Sequence, residues 1–141
     1  MSSTHAVVID DDACWDLLAL QPVGRIGMCR DDGPLILPVN YAVIDRAIVF
    51  RTRINGSALP GNGQQVAFEV DGIDARFHDG WSVLVTGLAT RMVGPLGDED
   101  TVETWVDGER PVLVVIEVTS ITGRVLLHDD IGWAQDLRGY L

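Results

Sequence analysis

The chain contains no lysine: all ten of its basic residues are arginine. Chemistry that runs through a lysine Schiff base is therefore excluded. Any anion site must be built from guanidinium, backbone N–H or hydroxyl donors. Acidic residues number 21, and the formal net charge is −11. A surface of that sign repels nucleic acid and anionic lipid, so neither is an expected partner. Long apolar runs are also missing. The longest, Val112 to Ile116, is strand-sized, against the ~20 residues of a membrane helix. The start, Met1-Ser2-Ser3-Thr4-His5, has no basic stretch ahead of an apolar core, so the expectation is a cytoplasmic protein without a secretory signal. Only two cysteines occur, Cys14 and Cys29, and two isolated thiols read as reduced and structural. His5, His78 and His128 are far apart, which argues against a metal site. Neither a G-x-S-x-G elbow nor a dinucleotide fingerprint is present, so hydrolase and Rossmann chemistry find no support.

What remains is a chain of 141 residues with 47% hydrophobic content and 15 glycines. It is most simply one domain spanning residues 1–141, large enough for a real core. Asp10-Asp11-Asp12 suit a helix N-terminus, and Cys14, Leu17, Leu18 and Gln21 form a narrow apolar face before Pro22 stops the helix. Strands are expected over Gly24–Arg30, Leu35–Ile44, Ala47–Arg53, Gln64–Asp71, Trp81–Val93 and Val112–Val118, the last extending toward Leu127 after a kink. Turn chemistry separates them: Asp31-Asp32-Gly33, Asp45-Arg46 and Asn55-Gly56. A bend is expected at Gly87. Short helices are expected over Asp98–Val106 and in the tail, where Trp133, Leu137 and Tyr140 have near-helical spacing. The pattern is mainly β: a six-stranded antiparallel barrel with a few short helices.

Arg51 and Arg53 fall two apart near the end of one strand, beside the loop Ile54-Asn55-Gly56-Ser57. Two cations, a hydroxyl and nearby backbone N–H groups are what a phosphate needs. On spacing alone a solvated pair guarding a sheet edge is the better fit. Glu69 and Asp71 share a strand face, for which a solvent face is the simpler expectation.

Three segments resemble one family: Gly24-Arg25-Ile26-Gly27-Met28, Leu37-Pro38-Val39-Asn40-Tyr41 and Ile48-Val49-Phe50-Arg51-Thr52. Together with Gly80-Trp81-Ser82-Val83-Leu84-Val85-Thr86-Gly87, they are similar to the FMN-binding split barrels related to pyridoxamine 5'-phosphate oxidase. The resemblance spans Ala13 to Leu126. It implies a split barrel that holds FMN and works as an FMN-dependent oxidoreductase on a small-molecule substrate. It places Arg51 and Thr52 on the phosphate, and Pro38, Val39, Asn40 and Tyr41 along the flavin ring. It puts Trp81 and Ser82 where another strand adds a donor near the phosphate. It also implies a homodimer with the cofactor at the subunit interface, with Trp105 and Trp133 in segments that can reach the partner's cofactor. Relatives often carry a lysine after the Arg-Thr step; without it, either Ser57 and Arg53 supply the donor and the second charge, or the site is weakened or lost. Two other readings stay open: a non-catalytic flavin-binding or redox-sensing module, and a deazaflavin-dependent reductase.

Overall fold

Alternating apolar residues and glycine-bearing turns make most of this chain extended. The computed structural model describes residues 3–93 and 102–128. Its elements run β1 (Thr4–Ile9), α1 (Asp11–Leu18), β2 (Val23–Arg30), β3 (Gly33–Asn40), β4 (Ala42–Ile44), β5 (Ala47–Thr52), β6 (Gln64–Asp74), β7 (Asp79–Val93) and β8 (Val112–His128). All eight strands of the described residues join one sheet in the order β3-β2-β6-β7-β8-β5-β4, with β1 also paired to β8. Every pairing is antiparallel.

The two ends of that order, β3 and β4, are separated in the chain only by Tyr41. A flat sheet cannot meet both conditions. The sheet curls until its ends approach, and β3 comes against β5 across a seam. This is the antiparallel split barrel expected from the sequence. Its interior is filled by Ile26, Ile48, Phe50, Phe68, Val70, Val83, Val85, Val114 and Ile116, all fully buried. Trp81, Val83 and Val85 face inward on β7, while Ser82 and Leu84 face outward, the alternation a pleated strand imposes.

Asp10 caps α1, its Oδ1 accepting from Ala13 N at 2.8 Å. Cys14, Leu17 and Leu18 are the buried face. The helix packs on β8 and β7, where a Cβ on Gly123 would stand 2.6 Å from Cys14 Sγ. Burial, then the charges of Asp11 and Asp10, push the Cys14 thiol up to about 11. It stays protonated and unreactive at neutral pH. Asp45 and Arg46 both take positive φ, 50° and 57°, the twist a two-residue hairpin turn requires. Arg46 then reaches α1, with its Nη2 2.7 Å from Asp12 Oδ1.

The strand count differs from the expected six for two reasons. Thr4–Ile9 is mostly exposed, so its pairing with β8 leaves no apolar alternation to read. The expected strand Leu35–Ile44 is cut at Tyr41, where it changes sheet ends. The kink expected in β8 is a bulge: pairing slips between Thr86 and Gly87, from Thr86↔Ser120 to Gly87↔Val118. Thr119 Oγ1 donates to Thr86 O at 3.2 Å. Glycine is required there, because a Cβ on Gly87 would lie 2.3 Å from Glu117 O. The helix expected over Asp98–Val106 is not formed in its described part, since 102–110 is irregular. The expected tail helix with Trp133, Leu137 and Tyr140 lies outside the described residues.

The outer face of β2 and β6 carries one charged cluster. Arg25 Nη1 lies 3.1 Å from Glu69 Oε1 and 3.4 Å from Asp71 Oδ2. Burial pushes Glu69 up from 4.5 to about 7, reinforced by its hydrogen bond to Asp71 and that residue's charge, and opposed by Arg25. The native pKa lies above the unfolded one, so the folded state holds the extra proton between those two values. Glu69 thus favours folding most at low pH, and that contribution is lost as pH rises through about 7. Thermal unfolding of wild type and Glu69→Gln at about pH 5 and about pH 8 checks this. The difference between them should move against wild type at the higher pH. A difference independent of pH would contradict it.

Candidate functional site

Curling brings the second half of β3 opposite the end of β5. Between them is an open cleft of about 350 Å³. One wall is Leu37, Pro38, Val39 and Asn40; the other is Arg51, Thr52 and Arg53. Gly56, Ser57 and Ala58 close one side, and Thr104, Val106 and Arg110 cross from the segment ahead of β8.

The loop after β5 is shaped by local hydrogen bonds. Asn55 takes φ 60°, Gly56 N donates to Arg53 O at 3.0 Å, and Leu59 N donates to Gly56 O at 3.1 Å. A Cβ on Gly56 would lie 2.8 Å from Thr52 Oγ1 and 3.1 Å from Arg53 O, so only glycine lets the turn close against β5. Arg30, at the end of β2, braces the loop from beneath: its Nη2 donates to Ser57 O, and to Leu59 O at 3.4 Å. No helix starts in this loop. Its donors to an anion are individual N–H groups and the Ser57 hydroxyl, without a helix dipole behind them.

The charge of the cleft is one-sided. Arg51, Arg53 and Arg110 line the cleft, and none of the described lining residues is acidic. Among the described residues, the arginine–carboxylate pairs are Arg25 with Glu69 and Asp71, and Arg46 with Asp12. None involves the cleft arginines. In a chain with 21 acidic residues, three cationic residues gathered with no carboxylate among the described lining residues form a local well for an anion.

Pro38, Val39, Asn40, Arg51, Thr52, Arg53 and Ser57 thus come together around this cleft. Tyr41 does not join them. It is only 7% exposed and lies in the core, because the strand alternation turns it inward after Asn40. Its hydroxyl donates to Leu18 O, and its ring meets Phe68 edge-on at 5.0 Å. Burial raises its pKa well above the ordinary phenol value, so it is no proton carrier for the cleft. Trp81 and Ser82 are also elsewhere. They pair with Val125 and Arg124, at the opposite end of β8 from Leu113, the partner of Arg51. Trp81 is buried beside Gly72 and Gln21, and Ser82 is exposed on the outer face. Trp105 is 63% exposed; its neighbours Thr104 and Val106, not its ring, line the cleft. Trp133 lies outside the described residues.

Sequence reasoning missed Leu37, Gly56, Ala58, Thr104, Val106 and Arg110 as lining residues. Arg110 had one usable signal, its place just ahead of Pro111 and the apolar strand β8. Without the Thr52↔Val112 pairing, nothing in the sequence sets it beside Arg51.

Residues 10–125 match the family model for pyridoxamine 5'-phosphate oxidase. A Mycobacterium tuberculosis protein, itself uncharacterised, is 34% identical over 137 residues, covering 91% of this chain and 90% of that protein. Among solved structures, the FAD-binding protein of Mycobacterium smegmatis is similar with a TM-score of 0.67 and 30% identity, over 86% of this chain and 98% of that one. A FAD-binding protein of Mesorhizobium loti has a TM-score of 0.69 at 18% identity, over 89% and 99% of the two chains. At that identity the likeness is one of fold.

Proposed function

The chain belongs to the pyridoxamine 5'-phosphate oxidase family, and we propose that its seam cleft binds a flavin nucleotide, FMN, in an oxidoreductase acting on a small molecule. The observation that carries this reading is the cleft with Arg51, Thr52 and Arg53 at the end of β5 and no carboxylate among its described lining residues. These donors fit a phosphate: a guanidinium gives paired, charge-assisted hydrogen bonds, and the Thr52 hydroxyl and loop N–H groups add neutral ones. The apolar and backbone surface of Leu37, Pro38 and Val39 fits a flat heteroaromatic ring. FAD-binding relatives support the flavin class, and the resemblance of the strand segments to FMN-binding split barrels favours FMN. A bound flavin supplies hydride or electron transfer, and the protein supplies binding, orientation and electrostatics. Here Arg51 would neutralise the phosphate and β3 would present its edge to the ring, beside the loop that Arg30 braces. Turnover of a reduced nicotinamide donor separates this reading from a non-catalytic flavin module.

Arg51→Ala should weaken FMN roughly ten- to a hundredfold, the loss of one charge-assisted contact of ~1.5–3 kcal/mol. Riboflavin, which lacks the phosphate, should bind wild type and variant alike. Fluorescence titration of both ligands makes the comparison. Equal losses for both would make Arg51 structural, and no binding of either to wild type would remove the flavin reading.

The same reading includes a homodimer. It is supported by Ile36 (70% exposed), Leu84 (47%) and Leu88 (41%). They stand on the outer face of β3 and β7, on either side of the side-chain-poor Gly27 and Ala67. Such a patch on a monomer commonly marks an interface, and a two-fold pairing is the simplest closed cover for it. Light scattering at micromolar concentration should report two chains per particle. A monomer would contradict it.

A further inference from the structure

The segment 102–110 crosses the cleft as a strap. Val102 is buried at one end, and Val112 pairs with Thr52 at the other. Between these anchors the strap is tied to the cleft walls by two hydrogen bonds. Trp105 N donates to Asn40 Oδ1 at 2.9 Å, and Arg53 Nη2 donates to Asp107 O at 3.4 Å. Gly108, at φ 122°, lets the backbone pass close to Arg53: a Cβ there would lie 3.0 Å from Arg53 Nη2. Asn40 is held from its other end as well, its Nδ2 donating to Pro22 O at 3.2 Å. Both ends of the Asn40 amide are thus engaged with backbone, one in the strap and one in the segment leading into β2. Arg110 is carried by the same strap. Its Nη1 donates to Val106 O at 2.6 Å and to Gly108 O at 3.4 Å. Among the described residues both of its bonds run through Nη1, and Arg110 lines the cleft with Arg51.

We propose that Arg110 is a further anion-binding cation of this cleft, delivered by the strap, and that Asn40 is a positioning residue that acts through Trp105 rather than on the ligand. This rests on the flavin reading and deepens it. In a chain without lysine, a cation approaching from the strap completes the charge compensation that Arg51 begins from β5. The Asn40 amide has its acceptor and a donor committed to backbone, so its substitution should be felt where the strap ends, at Arg110.

The test is a double-mutant cycle read with two ligands. Arg110→Ala should weaken FMN by about ten- to a hundredfold and leave riboflavin nearly unchanged. Arg110→Lys, which keeps the charge, should recover part of the loss. Asn40→Ala should reproduce the FMN-selective loss, and the double variant should be scarcely worse than either single one, as coupled residues require. In the ligand-free protein, Asn40→Ala should also speed hydrogen exchange at the Trp105 amide. If wild type binds FMN but Arg110→Ala binds it as well, the inference fails while the flavin reading stands. Equal losses for FMN and riboflavin, or strictly additive losses in the cycle, also overturn it. Wild type that binds neither ligand overturns the flavin reading and the inference with it.

Discussion

One residue closes this barrel. Tyr41 is the whole connection between β3 and β4, the two ends of the sheet, so its position decides how far the sheet must curl. It is held by burial, by its hydroxyl on Leu18 O at the end of α1, and by Phe68 of β6. That places one side chain against the helix and the middle of the sheet at once. Because Tyr41 turns inward, Asn40 before it turns the other way, toward the cleft and the strap. The seam between β3 and β5 follows from that closure, and the cleft is the part of the seam the side chains leave open.

Electrostatics then divide the molecule. The outer face neutralises Arg25 with Glu69 and Asp71, and Arg46 with Asp12. The seam leaves Arg51, Arg53 and Arg110 without such partners among the described residues. Arginine suits this use, since its planar fork bonds two acceptors at once and it stays charged when desolvated. The strap adds an economy of its own: Arg53 ties it at Asp107, and in return it brings Arg110 to the same cleft.

Much of this was legible beforehand because it was local. The turns at Asp45-Arg46 and Asn55-Gly56, the cap at Asp10, the bend at Gly87 and the pairing of Arg51 with Thr52 at a strand end each depend on residues close in sequence. The seam residues Pro38, Val39 and Asn40 were found through resemblance, and the fold then brought them opposite Arg51. What was not legible depends on register between distant strands. Tyr41 reads as one more residue of a long strand until the sheet order makes it a corner. Ser82 reads as a donor until its pairing with Arg124 sets it at the far end of β8. Arg110 and the strap have no periodicity to read, and their place comes from Val112 meeting Thr52.

The central claim is that an anionic ligand is held at this seam, with its charge against the end of β5. The most direct measurement is a crystal structure of the protein grown with FMN. The account predicts the phosphate within hydrogen-bond distance of the Arg51 guanidinium and the ring lying along Leu37, Pro38 and Val39. A ligand found on another surface, or a phosphate placed away from Arg51, would contradict it.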